Sequence, residues 1–506
     1  MTSHPLEPAS PVAVVGAGTM GAGIAQVAAQ AGHPVLLFDA VDGAVARALA
    51  RIESDLGRLV EKGRLRAEAR DAVVARIRPC AEVAELAPAA LVVEAIVEAL
   101  DAKTALLREV ERITGEATIF ASNTSSLSIT AIAAAARRPE RVVGMHFFNP
   151  APAMALVEVV SGLATSPDVA ATVFATAASW GKSPVHARST PGFIVNRVAR
   201  PFYGEALRLL EEGAADCATL DAILRDAGGF RMGPFELMDL IGHDVNFAVT
   251  SSVHAAFHGD PRYRPSIVQQ ELVRAGRLGR KSGRGFYAHG GGAQPPAPAT
   301  TPARPAPSRV VIEGDLGPAA ALEALAREAR MEVSRAPGEG RIAAGPARLA
   351  LTDGRLATER AAGATDLVLF DLALDYRAAR RVAIAGGAGT TPAALDAAAG
   401  FFQALGKQVS ILPDLPGLAV MRTVAMLANE GADAVHLGVC DAAAVDGAMV
   451  KGVNYPLGPL AWADRVGPRW ILAVMDGLAR AYGEDRYRAS LLLRRIAAAG
   501  GRFQAP

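Results

Sequence analysis

An α/β domain built on a parallel sheet, then an all-helical domain, then a degenerate copy of both is the architecture the 506-residue sequence predicts. Three observations carry it. Between Pro11 and Asp39 the chain reads as strand, glycine turn, helix and strand; from Thr190 to about Gly276 the apolar spacing becomes helical; and an offset of 225, which takes Gly181 to Gly406, lands on matching residues over some sixty positions.

The first of these is the most informative. Val12-Ala13-Val14-Val15 is a β-branched, apolar run that breaks into Gly16-Ala17-Gly18-Thr19-Met20-Gly21; an Ala-rich helix continues to Ala31, and after Gly32-His33 a second run extends from Pro34 to Phe38. In the spacing G-x-G-x-x-G, Gly16 permits the tight turn, Gly18 lets backbone approach a pyrophosphate, and Gly21 lets the helix pack closely on the strand. The helix N-terminus that begins at Thr19 and Met20 presents its amides to the phosphates. Asp39 ends the second run, 18 residues after Gly21, where a carboxylate accepts hydrogen bonds from the adenine ribose hydroxyls and repels a 2′-phosphate. This arrangement reads as a Rossmann-type site for NAD in preference to NADP.

The elements that follow keep the alternation. Gly43 to Ile77 reads as mainly helical with a solvated Arg/Lys face, Ala90 to Ala95 as a buried strand, and Asp101 to Ile113 as a helix. Thr118 to Ala121 is a strand running into Ser122-Asn123-Thr124-Ser125-Ser126, and Val142 to Pro150 is the next. Such alternation argues for a parallel, doubly wound sheet with its ligand crevice at the strand C-termini, where Glu94, Glu98, Ser125 and His146 lie. Pro191-Gly192-Phe193-Ile194-Val195-Asn196-Arg197 opens the helical domain, Arg277 to Tyr287 reads as an ordered surface loop, and His289 to Ser308 is a Pro/Gly/Ala-rich linker. The predicted domains are residues 1–187 (NAD-binding), 188–289 (helical), 290–308 (linker), 309–413 (degenerate Rossmann-like) and 414–506 (second helical).

The repeat pairs Pro191-Gly192 with Pro416-Gly417, Arg197 with Arg422, Glu205 with Glu430 and Asp239 with Asp464. It is not chemically equivalent. Met421 stands opposite Asn196, Glu313-Gly314-Asp315-Leu316-Gly317 replaces the phosphate turn, and no His-Phe-Phe-Asn-Pro recurs, so the second half reads as structural.

Composition narrows the function class. With 52 Lys plus Arg against 51 Asp plus Glu, the net charge of +1 gives no basis for nucleic-acid binding or a basic membrane surface. Cys80, Cys217 and Cys440 are odd in number and far apart, which argues against disulfides and thiolate metal sites and suits a reducing cytoplasm. The N-terminus lacks a secretory pattern, and the most apolar stretch, Val142 to Val160, is interrupted by His146, Asn149, Pro150, Pro152 and Glu158; neither a membrane span nor a metal centre is expected.

GAGTMGAGIA, VVEAIVEALDAK, SNTSSLSIT, MHFFNPAPAMALVEVV and TPGFIVNR together resemble the L-3-hydroxyacyl-CoA dehydrogenase family, nearly continuously from Val12 to Tyr287. The degenerate second half, with ARPFYGEALRLLEEG and GPFELMDLIGHDVNFAVTSSVHAAF, is most similar to the long bacterial members that act on 3-hydroxyadipyl-CoA in phenylacetate breakdown. The resemblance implies NAD-dependent oxidation of a (3S)-3-hydroxyacyl-CoA to the 3-oxoacyl-CoA. It implies that His146, whose imidazole suits reversible proton transfer near neutrality, accepts the C3 hydroxyl proton, and that Glu158, 12 residues later, orients the ring. Ser125 and Asn196 would bond the C3 oxygen or thioester carbonyl, so that the site spans both domains. Asn149 would also meet substrate, and Asp39, Glu98 and Lys103 belong to the cofactor side. For a terminal carboxylate, Arg200, four residues after Asn196, is the candidate; its alternative is a surface or carboxylate-paired arginine. Ser189 departs from the Asp many members carry at that turn. The alternatives are a 3-hydroxybutyryl-CoA or general short-chain enzyme, a free hydroxy-acid dehydrogenase, and a non-catalytic nucleotide-fold protein. Single-domain relatives pair through their helical domains, so the duplication implies an internal pseudo-dimer in which residues 309–506 cover an apolar face of the first helical domain, within a possible homo-oligomer.

Overall fold

The structure is a computed structural model describing residues 4–504. The chain divides into two compact units. One holds the chain as far as Asn196 together with Gly438–Val453; the other holds Arg197–Leu437 and the chain from Asn454 onward.

The first unit is built on strands β1 (Val12–Val15), β2 (Val35–Phe38), β3 (Ile77–Pro79), β4 (Leu91–Glu94), β5 (Ile119–Ser122), β6 (Val142–Phe147), β7 (Leu156–Ser161) and β8 (Ser183–Arg188), in the order β3-β2-β1-β4-β5-β6-β7-β8. The β1 and β4 side chains are buried throughout, as continuous apolar runs in a sheet covered on both faces must be. The expected sheet was parallel; the observed one has an antiparallel pair, β6 with β7. The connection from Phe148 to Ala155 is too short for a parallel crossover, which needs a dozen or more residues, so β7 runs back beside β6. That reversal sets His146 directly opposite Glu158. The section read as mainly helical from Gly43 breaks at Gly63, where φ is +65°, into helices Ala44–Glu61 and Ala67–Ala75, and ends in β3.

The edge strand β8 is covered by residues from far along the chain. Helix Ala442–Val453 packs on β7 and β8, the Arg188 amide donates to Val439 O at 2.8 Å, and Lys451 Nζ donates to Ser183 Oγ at 3.1 Å. The approach is close enough that a Cβ at Gly452 would lie 2.5 Å from Leu156 Cδ2. Residues Gly438–Val453 therefore shield a sheet edge of the first unit, a placement that the sequence did not suggest.

The second unit carries β9 (Arg309–Glu313), β10 (Glu332–Ala336), β11 (Arg341–Ala344), β12 (Ala347–Leu351), β13 (Leu367–Phe370), β14 (Arg381–Gly386) and β15 (Gln408–Ile411), in the order β10-β9-β11-β12-β13-β14-β15. The offset of 225 reaches back beyond Gly181, because β13 and β14 are the images of β6 and β7 and are again antiparallel. At the images of His146 and Glu158 stand Asp371 and Ala383. After β9 the glycine turn is replaced by a 3-10 turn, Gly317–Ala319, and an eight-residue helix, Ala321–Glu328. Residues of the linker are pinned along this sheet: Thr301 N donates to Val409 O, Arg304 N to Gln403 Oε1, and Ser410 Oγ to Ala299 O.

Among the helices of this unit the repeated charges meet reciprocally. Arg197 Nε donates to Glu430 Oε1 at 2.6 Å, and its image Arg422 donates to Glu205 Oε2 at 2.7 Å. Tyr263 OH donates to Glu430 at 2.5 Å, and Tyr487 OH to Glu205 at 3.1 Å.

Candidate active site

Five strand ends of the first unit, those of β1, β2, β4, β5 and β6, assemble the side chains. At the end of β1, Gly16 has φ +101°, and a Cβ there would lie 2.5 Å from Ala95 O; a Cβ at Gly21 would lie 1.7 Å from Gly16 O. The protein's own packing therefore demands glycine at both positions. Gly18 is different: its φ is −68° and a Cβ would meet nothing within 4 Å. The space in front of Gly18 is a cradle that a side chain would fill, and the helix Thr19–Gln30 that follows has no side-chain cap on its first amides. Open space, unclaimed amides and the helix dipole fit a dinucleotide pyrophosphate. Asp39, partly exposed at the end of β2, accepts from the Ala17 amide at 2.6 Å and the Val41 amide at 2.8 Å, so its carboxylate is fixed beside the turn.

Glu94 and Glu98 organise the next two strand ends. Fully buried Glu94 accepts from Lys103 Nζ and Ser122 Oγ, both at 2.6 Å, and from the Ile96 amide at 2.8 Å. Glu98 gathers the loop after β5: Thr124 Oγ1 donates to it at 2.6 Å, the Ser125 amide at 3.0 Å and the Ser126 amide at 3.1 Å, with Lys103 Nζ 3.3 Å away. Burial alone would raise the Glu98 pKa, but those hydrogen bonds and the Lys103 charge hold it below the usual carboxylate range. Lys103 is 1% exposed between the two carboxylates, so it acts through Glu94 and Glu98.

His146, on β6, is 5% exposed; its Nδ1 lies 2.6 Å from Glu158 Oε2, and its ring packs against Phe148 and Phe193. The other oxygen of Glu158 accepts from the amides of Ile194, at 3.0 Å, and Val195, at 2.9 Å. One buried carboxylate thus fixes the imidazole and the first amides of helix Val195–Val198 together. The turn leading there is tight: Gly192 and Phe193 have φ of +74° and +47°. With Nδ1 held by the carboxylate, Nε2 is the ring atom left for proton exchange. Asn196 Nδ2 donates to Ser125 O at 3.4 Å, so these two polar residues stand together. Asn149 is exposed beyond β6, in a cis peptide with Pro150. Ser189 Oγ accepts from the Ile129 amide at 3.0 Å, which gives the departure at that turn a structural role.

Sequence reasoning placed Glu94 at a strand end but gave it no part in the site, and it passed over Asn123, whose Oδ1 accepts from the Phe147 amide at 2.8 Å and ties β5 to β6. The available signal was a charged residue closing an otherwise apolar strand, Leu91-Val92-Val93-Glu94.

The curated relative "3-hydroxyadipyl-CoA dehydrogenase" from Escherichia coli K12 is 46% identical over 487 residues, covering 96% of this chain and 97% of its own length. The chain belongs to the 3-hydroxyacyl-CoA dehydrogenase family. The family's NAD-binding domain matches residues 11–190, and its C-terminal domain matches twice, over 192–289 and 417–504, which marks the second helical region as a duplicate. The reduced Rossmann-fold domain of 3-hydroxybutyryl-CoA dehydrogenase matches 349–416. A crystal structure of 3-hydroxybutyryl-CoA dehydrogenase from Escherichia coli K12 superposes with a TM-score of 0.89 at 44% identity, covering 97% of this chain and 99% of that one. The pig mitochondrial hydroxyacyl-coenzyme A dehydrogenase is 40% identical over 282 residues, 54% of this chain and 90% of the relative. This 3-hydroxyacyl-CoA dehydrogenase is an NAD-dependent oxidoreductase with a Rossmann-type domain and a helical domain, followed by a reduced Rossmann-like region and a second helical region. Among the described residues no helix is long and apolar enough to cross a membrane.

Proposed function

We propose that the chain oxidises (3S)-3-hydroxyadipyl-CoA to the 3-oxo thioester, working in the cytoplasm. The observation that supports the chemistry is the His146–Glu158 pair at 2.6 Å, and the relative that matches nearly end to end supports the substrate. Gly16, Gly18, Thr19, Met20 and Gly21, with Asp39 beside them for the ribose hydroxyls, would hold NAD, which would supply the hydride acceptor for C3. His146 Nε2 takes the hydroxyl proton, while Glu158 keeps the imidazole in one tautomer and orientation. Ser125 and Asn196 hydrogen-bond the C3 oxygen or the thioester carbonyl, with Asn149 at the same substrate; Glu98, held by Lys103, sets the loop that carries Ser125. The division into residues 1–187, 188–289, 290–308, 309–413 and 414–506 is our assignment of domains.

The reciprocal pairs Arg197–Glu430 and Arg422–Glu205 support an internal pseudo-two-fold of the helical regions, the isologous pattern of a symmetric dimer written into one chain. Residues 309–506 bind no second NAD in this reading, since a 3-10 turn replaces the glycine cradle.

The test is a comparison of kcat/KM with NAD on 3-hydroxyadipyl-CoA and 3-hydroxybutyryl-CoA. At least a tenfold preference for the dicarboxylic substrate is expected. Equal values would return the chain to the short-chain reading, the activity after which its structural neighbour from Escherichia coli is named.

A further inference from the structure

Arg200 stands in the wall of a cavity of about 360 Å³ inside the second unit. It is 7% exposed; its Nη1 donates to Thr250 Oγ1 at 2.9 Å, its Nε has no partner, and its guanidinium lies 4.9 Å from the centre of the Tyr203 ring. Both bland readings of this arginine fail, because it is buried and because, among the described residues, no carboxylate lies within ion-pair distance. Apart from the solvent-exposed Arg264, the neighbouring charges on the wall are already matched. Arg208 pairs with Glu484, Arg262 with Asp260 and Glu430, and Arg486 with Glu205; of the glutamates, Glu211 accepts from Ser266 Oγ and Glu212 from Arg422. A buried guanidinium without a counter-charge is costly unless an anion arrives to share the site. Desolvation accordingly pulls the Arg200 pKa below its ordinary value.

The repeat shows that the fold does not need this feature. At the images of Arg200 and Thr250 the second copy has Ala425 and Met475, both fully buried and apolar. The copy that lost His146, Glu158 and Asn196 has therefore also lost the arginine and its hydroxyl partner, whereas the structural pairs Arg197–Glu430 and Arg422–Glu205 persist in both copies.

We propose that this cavity is a carboxylate-binding site whose anchor is Arg200, with the free carboxylate of a dicarboxylic acyl thioester as its occupant. The planar guanidinium fork matches a carboxylate with two parallel hydrogen bonds, and Thr250 holds one arm of the fork in place. The identity of the occupant rests on the substrate proposed above; the existence of the site does not, because a free dicarboxylate offers the same chemistry.

The experiment uses the full chain, Arg200→Met and Arg200→Lys, with adipate as the probe for binding and the ratio of kcat/KM for 3-hydroxyadipyl-CoA over 3-hydroxybutyryl-CoA as the kinetic readout. Adipate should bind the wild-type protein and bind Arg200→Met at least tenfold more weakly. The kinetic ratio should fall tenfold to a hundredfold, the usual range for losing charge-assisted hydrogen bonds. Loss of adipate binding with an unchanged ratio would keep the site and overturn the thioester as its occupant. Unchanged adipate affinity together with an unchanged ratio would overturn the site. If the wild-type ratio is near one, the substrate reading has failed, and adipate binding alone decides the cavity. Arg200→Lys, which keeps the charge without the fork, should bind adipate with intermediate affinity and serves in the same comparison if Arg200→Met does not fold.

Discussion

Replacing Glu205 by Gln tests what holds the helical unit together. Glu205 is fully buried; Oε2 receives Arg422 Nε at 2.7 Å and Tyr487 OH at 3.1 Å, and Oε1 receives Arg486 Nη2 at 2.7 Å and Nε at 3.0 Å. Burial by itself would raise its pKa, but the Arg486 and Arg422 charges and their hydrogen bonds outweigh it and draw the group from 4.5 down to about 2. A depression of that size corresponds to roughly 3 kcal/mol of stability at neutral pH. The figure agrees with the cost of about 3–5 kcal/mol for deleting one partner of a buried ion pair. Because the folded pKa is depressed, the contribution is fully present above the unfolded value of about 4.5 and is lost as pH falls through about 2. Glu205→Gln should therefore unfold at about 6–12 °C lower temperature at pH 7, at about 2–4 °C per kcal/mol for a domain of this size, and the gap should narrow steadily below pH 4.5. Thermal unfolding of both proteins from pH 7 to pH 3 provides the measurement. A loss below about 1 kcal/mol at pH 7, or a gap independent of pH, would mean that the charge is not what these bonds contribute.

Two further expectations concern the catalytic unit. His146→Gln and Glu158→Gln should each lower kcat by about 10²–10⁴ while leaving the Kd for NAD within a few-fold, measured by fluorescence titration and steady-state rates; near-normal turnover in either would remove that residue from the proton path. With its carboxylate fixed by the Ala17 and Val41 amides, Asp39 should favour NAD over NADP by at least a hundredfold in kcat/KM, and Asp39→Ser should narrow the gap by accepting the 2′-phosphate.

The parts of this molecule that were legible in the sequence are those whose cause is local. Gly16 needs its positive φ and Gly21 closes on Gly16 O, both within the turn itself, and the run that ends in Asp39 needs only a strand to put the acid beside it. The His146–Glu158 pair was legible as a spacing, but its geometry depends on β7 reversing, and the reversal follows from the length of a connection more than from any residue in it. The strands β3, β8, β10, β11, β12 and β15 were missed. They are three to six residues long and are held by their neighbours in the sheet more than by their own composition. Helix Ala442–Val453 looked like part of the second helical domain, and nothing local marks it as the cover of β8. The pairing of Arg197 with Glu430 did leave a trace: charges of opposite sign repeat in both copies on helices that are otherwise apolar, and a burial argument links them reciprocally.

Asp371 shows how the second copy keeps its fold without the residues proposed above to carry the chemistry. In the first copy, Glu158 on β7 both holds the imidazole and accepts the amides of Ile194 and Val195. In the second, the position of the glutamate is Ala383, and the amides of Ala419 and Val420, the images of Ile194 and Val195, donate at 2.9 and 2.8 Å to Asp371, which stands where the histidine was. One short carboxylate just past the end of the neighbouring strand β13 thereby does the structural half of the glutamate's work, satisfying amides that would otherwise be buried unpaired. Burial pushes the Asp371 pKa up to about 6 even though the backbone hydrogen bonds pull it down, so the exchange retains a strained anion to save the helix start. The proton-transfer role proposed for the pair has no such substitute, because an acid already engaged by backbone amides has no free atom to exchange a proton with a hydroxyl. Leu418, like Phe193, keeps the positive φ of the turn, +52° against +47°. The strand pair, the turn and the helix start thus form a structural unit that persists without the imidazole, and the imidazole is the part that the proposed reaction explains.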